Sequence, residues 1–241
     1  MNFIHCPDYN SMSLSAAQEI ITEVNGKPSS LLCAATGNST LGVYREIRQY
    51  AAGHPAAFSS LGLVKLDEWA GLPNKAVNSC EFYLRKYVIE PLGIPDSRYI
   101  SFRGDALDPV KECGRIQQSI QEHGPIDLCI LGLGINGHIG FNEPAVSVQP
   151  HCHLARLSPE SLKHAMLNEA EQKPSHGFTL GMADILQSKR VILLVAGPGK
   201  STILKELGKP GIRAGLPASF LWLHPRVDCY LDDSSIDTGV S

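Results

Sequence analysis

The sequence lacks any run of about 18 consecutive apolar residues, the length a helix needs to span a bilayer. Residues Met1 to Ser13 lack a basic start followed by an apolar stretch, so no secretory leader is expected. An excess of basic charge is also missing. Lys and Arg number 21 against 24 Asp and Glu, a formal net charge of −3. Phosphate backbones recruit clustered Lys and Arg, so neither nucleic acid nor membrane is an expected partner. The cysteines lack a pairing pattern. Cys6, Cys33, Cys80, Cys113, Cys129, Cys152 and Cys229 are odd in number and scattered. Cys33 and Cys129 sit inside apolar runs, where buried free thiols are common. Cys152 lies between His151 and His153, but no second cluster has zinc spacing, and no metal is expected. A reducing cytoplasm is the expected compartment. Repeats, low-complexity tracts and linkers are absent too. With 241 residues, 43% of them hydrophobic, the chain suits a single domain over residues 1–241.

What is present alternates between apolar runs and helical patterns. Ser15 to Val24 reads as a helix, with Ser15 and Gln18 as a capping box and Gly26 as its stop. Leu31 to Ala35 reads as a strand, and the turn Thr36 to Thr40 opens a helix carrying Leu41, Tyr44 and Ile47. A strand follows over Leu61 to Leu66, ending at Asp67-Glu68-Trp69. Ser79 caps a helix through Tyr87, and Tyr99 to Phe102 reads as a strand. Asp108-Pro109 starts a helix whose buried face is Val110, Cys113, Ile116 and Ile120. Asp127 to Leu133 and Arg190 to Ala196 are apolar strands, and Ala218 to Leu223 and Val227 to Leu231 read as the last two. Continuous apolar strands between amphipathic helices predict an α/β fold. Its sheet is open, mostly parallel and doubly wound, with helices on both faces, Rossmann-like. Four polar segments each follow the C-terminal end of a strand, the edge where such sheets bind ligands.

Each of these segments has a plain reading and a chemical one. Ala35-Thr36-Gly37-Asn38-Ser39-Thr40 is either a capped turn or an anion site at a helix start. It is neither a Walker loop nor a dinucleotide fingerprint, since the required Gly-Lys-Ser/Thr and further glycines are missing. Asp67 and Glu68 follow a buried strand and could act as a general base. Taken alone, that segment favours a helix cap, a role Asp often fills. The loop from Leu131 to Pro144 contains Gly134, Asn136, Gly137, His138, Gly140 and Glu143. Glycines hold such a backbone close to a ligand, and an imidazole with polar neighbours can carry a proton between two oxygens. The plain alternative has His138 satisfying a loop carbonyl. Lys200, after Gly197-Pro198-Gly199, stands at a helix start against the dipole's preference, which suits a bound anion. A solvated surface lysine is the other reading.

Together these residues resemble the glucosamine-6-phosphate deaminase family. The resemblance runs in order along almost the whole chain. It is carried by Thr36-Gly37-Asn38-Ser39, Leu66-Asp67-Glu68-Trp69, Gly134 through Pro144, Thr179-Leu180-Gly181 and Gly197-Pro198-Gly199-Lys200. Val64 to Trp69 and Pro217 to His224 look like its galactosamine-6-phosphate deaminase/isomerase branch. The resemblance implies that a cofactor-free enzyme opens, isomerises and deaminates an amino-sugar 6-phosphate. It implies Asp67 as the enolisation base, His138 as the ring-opening acid/base and Glu143 as its support. Asn136 falls where some members carry Asp and others Asn. Thr36, Gly37, Asn38, Ser39, Gly137 and Lys200 match substrate-binding positions. Members place a phosphate-binding arginine on a helix after the histidine loop. The region here, Leu162-Lys163-His164-Ala165-Met166-Leu167, has none. Glu160 to Leu167 reads as a helix after Ser158-Pro159, with Lys163 or His164 as the replacement. Regulated members carry basic residues shortly after Asn-Glu-Pro, where this chain has Ser147 to His153. The expected partner is a small sugar phosphate, with homo-oligomerisation left open. Two rivals are weighed. 6-Phosphogluconolactonase shares the fold and a glycine-histidine loop but not the continuation Phe141-Asn142-Glu143-Pro144. A sugar-phosphate sensor would carry DNA-binding helices before the sheet, and few residues precede Ser15.

Overall fold

The computed structural model describes residues 1–73, 75–167 and 173–236. Ten strands occur among them. They are β1 Asn2–Cys6, β2 Leu31–Ala34, β3 Gly62–Lys65, β4 Asp67–Trp69, β5 Tyr99–Ile100, β6 Leu128–Gly132, β7 His153–Arg156, β8 His176–Thr179, β9 Arg190–Val195 and β10 Val227–Asp232. The helices are α1 Tyr9–Gly26, α2 Asn38–Gly53, α3 Cys80–Leu84, α4 Glu90–Leu92, α5 Pro109–His123, α6 Met182–Leu186 and α7 Ser201–Leu207, with a wider π turn over Arg85–Ile89 between α3 and α4. None is long and apolar enough to cross a membrane among the described residues.

Seven strands form a parallel sheet in the order β1-β10-β9-β6-β2-β3-β5. Its central strands are apolar on both faces because both faces are covered. Along β9, Val191, Leu193 and Val195 enter one core layer with Ile116 of α5 and Ile185 of α6. Ile192 and Leu194 enter the other, with Met12 and Ile20 of α1 and Ile47 of α2. Side chains alternate across a strand, so one sequence run serves both layers. From β2 the chain proceeds outward through β3 and β5, then returns to β6 on the other side of β2. The order reverses between β2 and β6, and in open α/β sheets that point opens a crevice.

A second, antiparallel sheet, β4-β8-β7, stands at this edge. Leu66 is the corner. Its N–H donates to Ala34 of the large sheet and its carbonyl accepts from Leu180. Trp69, Cys80, Phe141, Ala155, Leu157 and Leu167 form a small core beneath it.

Several local expectations are corrected. α1 begins at Tyr9, not Ser15, because Asp8 accepts the Ser11 N–H at 2.7 Å and caps it. Val110 is exposed because it overhangs the core in the first turn of α5, while Ile116 is fully buried. Pro217–Leu223 is a 3₁₀ helix rather than a strand. Its buried Ala218 and Leu221 lie three apart, the period of that helix. Glu160 to Leu167 is not one helix but two short 3₁₀ turns, Ser161–Lys163 and Ala165–Leu167. They break at His164, whose ψ is 137°. Its Nδ1 accepts the Met166 N–H at 3.3 Å, a local bond that competes with the helix.

Candidate active site

The loop after β2 is held from behind. The Gly37 carbonyl accepts from Tyr83 Oη at 2.7 Å and Thr40 Oγ1 at 3.0 Å, and the Ala35 carbonyl accepts from Tyr44 Oη at 2.7 Å. Gly37 has φ 118°, which a β-carbon would strain. It is the N-cap residue of α2, and no side chain caps that helix. The first-turn N–H groups beside Asn38 and Ser39 therefore face outward with the positive end of the helix dipole, a suitable cradle for an anion. Ser39 Oγ donates to Ala196 at 3.4 Å, tying the loop to the end of β9.

Lys200 follows β9 through Gly197 and Gly199, at φ 94° and 79°. Its Nζ donates to the Leu133 carbonyl at the end of β6. Burial pushes its pKa down to about 8. No ion pair involves it among the described residues.

Asp67 and Glu68 divide two roles. Glu68 accepts Lys65 Nζ at 2.8 Å and the N–H groups of Trp69, Cys80 and Glu81 at 2.9, 3.0 and 2.8 Å. Ser79 caps α3 as expected, its hydroxyl accepting the Phe82 N–H at 3.0 Å, and Glu68 rather than Asp67 takes the two N–H groups before it. Lys65, fully buried, also bonds Glu81 at 2.9 Å. Asp67 lies on β4 and caps no helix. Burial, and then the charge of Glu68, push its pKa up to about 7, against the opposing pull of Lys65 and the Cys80 thiol. Thr36 Oγ1 donates to Cys80 Sγ at 3.5 Å. Cys80 thus joins the β2 loop to Asp67.

The loop after β6 orients His138. Its ring packs flat on Gly134, where a β-carbon would lie 2.5 Å from three ring atoms. Glu143 Oε2 is 3.4 Å from His138 Nδ1 and accepts Asn136 Nδ2 at 3.1 Å. Asn136 Oδ1 accepts the His138 N–H at 3.1 Å. The other Glu143 oxygen accepts the Ser158 N–H at 3.1 Å and a short bond from Ser161 Oγ. Burial alone would raise the Glu143 pKa, but His138, Ser161 and Ser158 pull it down to about 2. Glu143 therefore stays ionised and holds a proton on His138 Nδ1, leaving Nε2 for chemistry. Phe141 N–H donates to Thr179 Oγ1 at 3.1 Å, and Thr179 pairs with Asp67 across β8 and β4. The Phe141 and Trp69 rings meet at 4.5 Å. These contacts bring the histidine loop to the Asp67 strand. Gly137 has φ 85° and packs against Leu216 and Ile203, which makes it a turn residue.

The residues that sequence reasoning singled out thus come together from separate loops, with one exception. Lys163 is exposed. His164 turns inward instead. Ser161, Cys80 and Trp69 were missed as parts of the site. Ser158 was read only as preceding the expected helix over Glu160 to Leu167. Its hydroxyl accepts the Ser161 N–H at 3.1 Å, so the Ser-x-x-Ser spacing was the available signal. Among the described residues no group of three or more His, Cys, Asp or Glu is placed to hold a metal ion.

Comparison with known proteins fits this geometry. Residues 10–228 match the family model described as glucosamine-6-phosphate isomerases/6-phosphogluconolactonase. An Escherichia coli (strain K12) protein named "Putative deaminase AgaI" is 37% identical over 93% of this chain and 89% of its own. A glucosamine-6-phosphate deaminase of Geobacillus sp. (strain WCH70) is 33% identical over 98% and 95%. Among solved structures, a monomeric glucosamine-6-phosphate deaminase of the NagB superfamily superposes with TM-score 0.93. It is 32% identical and covers 98% of both chains. The 6-phosphogluconolactonase of Trypanosoma brucei superposes with TM-score 0.75 over 100% and 98% of the two chains, at 17% identity, a likeness of fold alone. The chain belongs to the glucosamine-6-phosphate isomerase/6-phosphogluconolactonase family.

Proposed function

We propose that this chain is an enzyme that opens, isomerises and deaminates an amino-sugar 6-phosphate, acting as a single domain. The observation that carries the reading is a pair of carboxylates with opposed environments. Glu143 is pulled down to about 2 and Asp67 pushed up to about 7. Glu143 is thereby the fixed anion that orients His138, and Asp67 a buried base poised near neutrality. The relatives named as deaminases support the substrate class.

In this reading the phosphate sits on the α2 N-terminus beside Thr36, Gly37, Asn38 and Ser39, with Lys200 alongside. His138 Nε2 takes the C1 hydroxyl proton and delivers it to the ring oxygen, opening the ring. Glu143 and Asn136 keep the imidazole oriented. Asp67 then removes the C2 proton of the open aldehyde; the C2–H pair forms the C1–C2 double bond, the carbonyl pair moves onto O1, and O1 takes a proton from the substrate's C2 ammonium, giving an enolamine. Protonated Asp67 returns a proton at C1. The resulting C2 imine adds water and releases ammonia, leaving a ketohexose 6-phosphate. All the named side chains come from one chain. Positioned acid–base groups and hydrogen bonds supply the catalysis.

The test compares ammonia release from galactosamine 6-phosphate and glucosamine 6-phosphate with hydrolysis of 6-phosphogluconolactone. Ammonia from at least one amino sugar is expected, and the preferred one fixes the C4 configuration. Turnover of the lactone alone would contradict the reading.

A further inference from the structure

A phosphate dianion on the α2 N-terminus with one lysine keeps part of its charge and several of its oxygens unmatched. The wall opposite that loop is formed at His164. Its Nε2 stands 3.6 Å from where a β-carbon on Gly37 would be. The ring is half-buried and leans on Trp69, with centroids 5.9 Å apart. The Trp69 indole N–H is itself buried without a partner among the described residues.

The protonation state of His164 follows from its surroundings. Nδ1 accepts the Met166 N–H at 3.3 Å, so that nitrogen carries no proton and Nε2 does. Burial lowers the pKa, and the neighbouring basic groups His138 and Lys200 lower it further. The ring is a neutral donor whose N–H lies on the Gly37 side. Its backbone geometry serves the same end. The extended ψ at His164 interrupts the two 3₁₀ turns and carries the ring inward, while Lys163 is left in solvent.

We propose that His164 is a substrate-binding residue whose Nε2–H donates a hydrogen bond to the substrate's phosphate, completing the site begun by the α2 N-terminus and Lys200. The proposal rests on the phosphate-site reading above. A neutral imidazole adds direction to the site without adding charge. It binds the group equally in ground and transition states, so its loss raises KM and leaves kcat.

The experiment titrates inorganic phosphate into wild type and the variants H164A, H164Q, K200A and K163A, with steady-state kinetics on the amino sugar and thermal unfolding in parallel. A hydrogen bond to a charged group supports a weakening of about tenfold or more in H164A, matched in KM with kcat nearly unchanged. H164Q recovers part of the affinity, because its amide N–H₂ reaches about as far as Nε2. K163A behaves as wild type. Wild-type phosphate affinity in H164A, with weakened binding in K200A, would overturn the role of His164 and leave the phosphate site standing. Unchanged binding in both variants would overturn the phosphate site and this proposal together. Loss in H164A that H164Q does not recover at all would mark His164 as merely structural, and would also overturn it.

Discussion

Replacing Asp67 by asparagine should abolish most activity and stabilise the protein, and the second effect can be worked from the structure. In the folded chain the Asp67 pKa rises from 3.8 to about 7, mainly because burial penalises the carboxylate. Below about pH 4 the group is protonated whether folded or not, and costs nothing. Between about pH 4 and 7 the unfolded chain releases the proton while the folded chain keeps it, so wild-type stability falls as pH rises. Above about 7 the loss is complete, on the order of 4 kcal/mol. The amide of the Asp67→Asn variant cannot ionise and escapes this loss. Urea unfolding of both proteins should show a stability gap that widens by about 2 kcal/mol between about pH 5.5 and about pH 8. The widening matters more than the absolute gap, since it cancels any constant effect of the amide's own contacts. Turnover should fall by about 10²-fold or more, the scale of a lost general base. A gap that stays constant or narrows with pH would refute the assignment of a strained carboxylate. Near-normal turnover would refute its role as base.

The same environments predict a bell-shaped pH profile. kcat/KM should rise as Asp67 loses its proton near 7 and fall as Lys200 loses its charge near 8; a flat profile across this range would contradict both roles. Gly134→Ala places a methyl group 2.5 Å from the His138 ring and should lower kcat by about 10²-fold through misplacement, which single-turnover kinetics would show. His138→Gln should be slow on the closed-ring sugar yet partly active on an open-chain analogue. Equal losses on both would remove the division of labour between His138 and Asp67.

Much of this architecture was legible because buried parallel strands write themselves as apolar runs. Leu128–Gly132 and Arg190–Val195 are examples. The loops after these runs carried the polar residues, so the crevice could be inferred before the sheet order was known. The small sheet was invisible for the opposite reason. Asp67–Trp69 and His176–Thr179 are short and carry charge or glycine, and their pairing depends on residues more than a hundred positions apart. Ser79 was legible as the cap of α3, but which carboxylate meets the helix's first N–H groups was hidden similarly. Adjacent Asp67 and Glu68 look alike in sequence, and only the corner at Leu66 decides which one meets α3. The inward turn of His164 depends on one side chain competing with a helix, which the helical pattern of Glu160 to Leu167 concealed.

The central claim is that the C2–H bond breaks before ammonia leaves, and a C2-deuterated amino-sugar 6-phosphate tests it most directly. Ammonia release should be slowed by a primary isotope effect, and the ketohexose 6-phosphate formed should carry no deuterium at C2, the label passing to C1 or to water. Ammonia released at the undeuterated rate, with deuterium retained at C2 of an aldose product, would contradict the account.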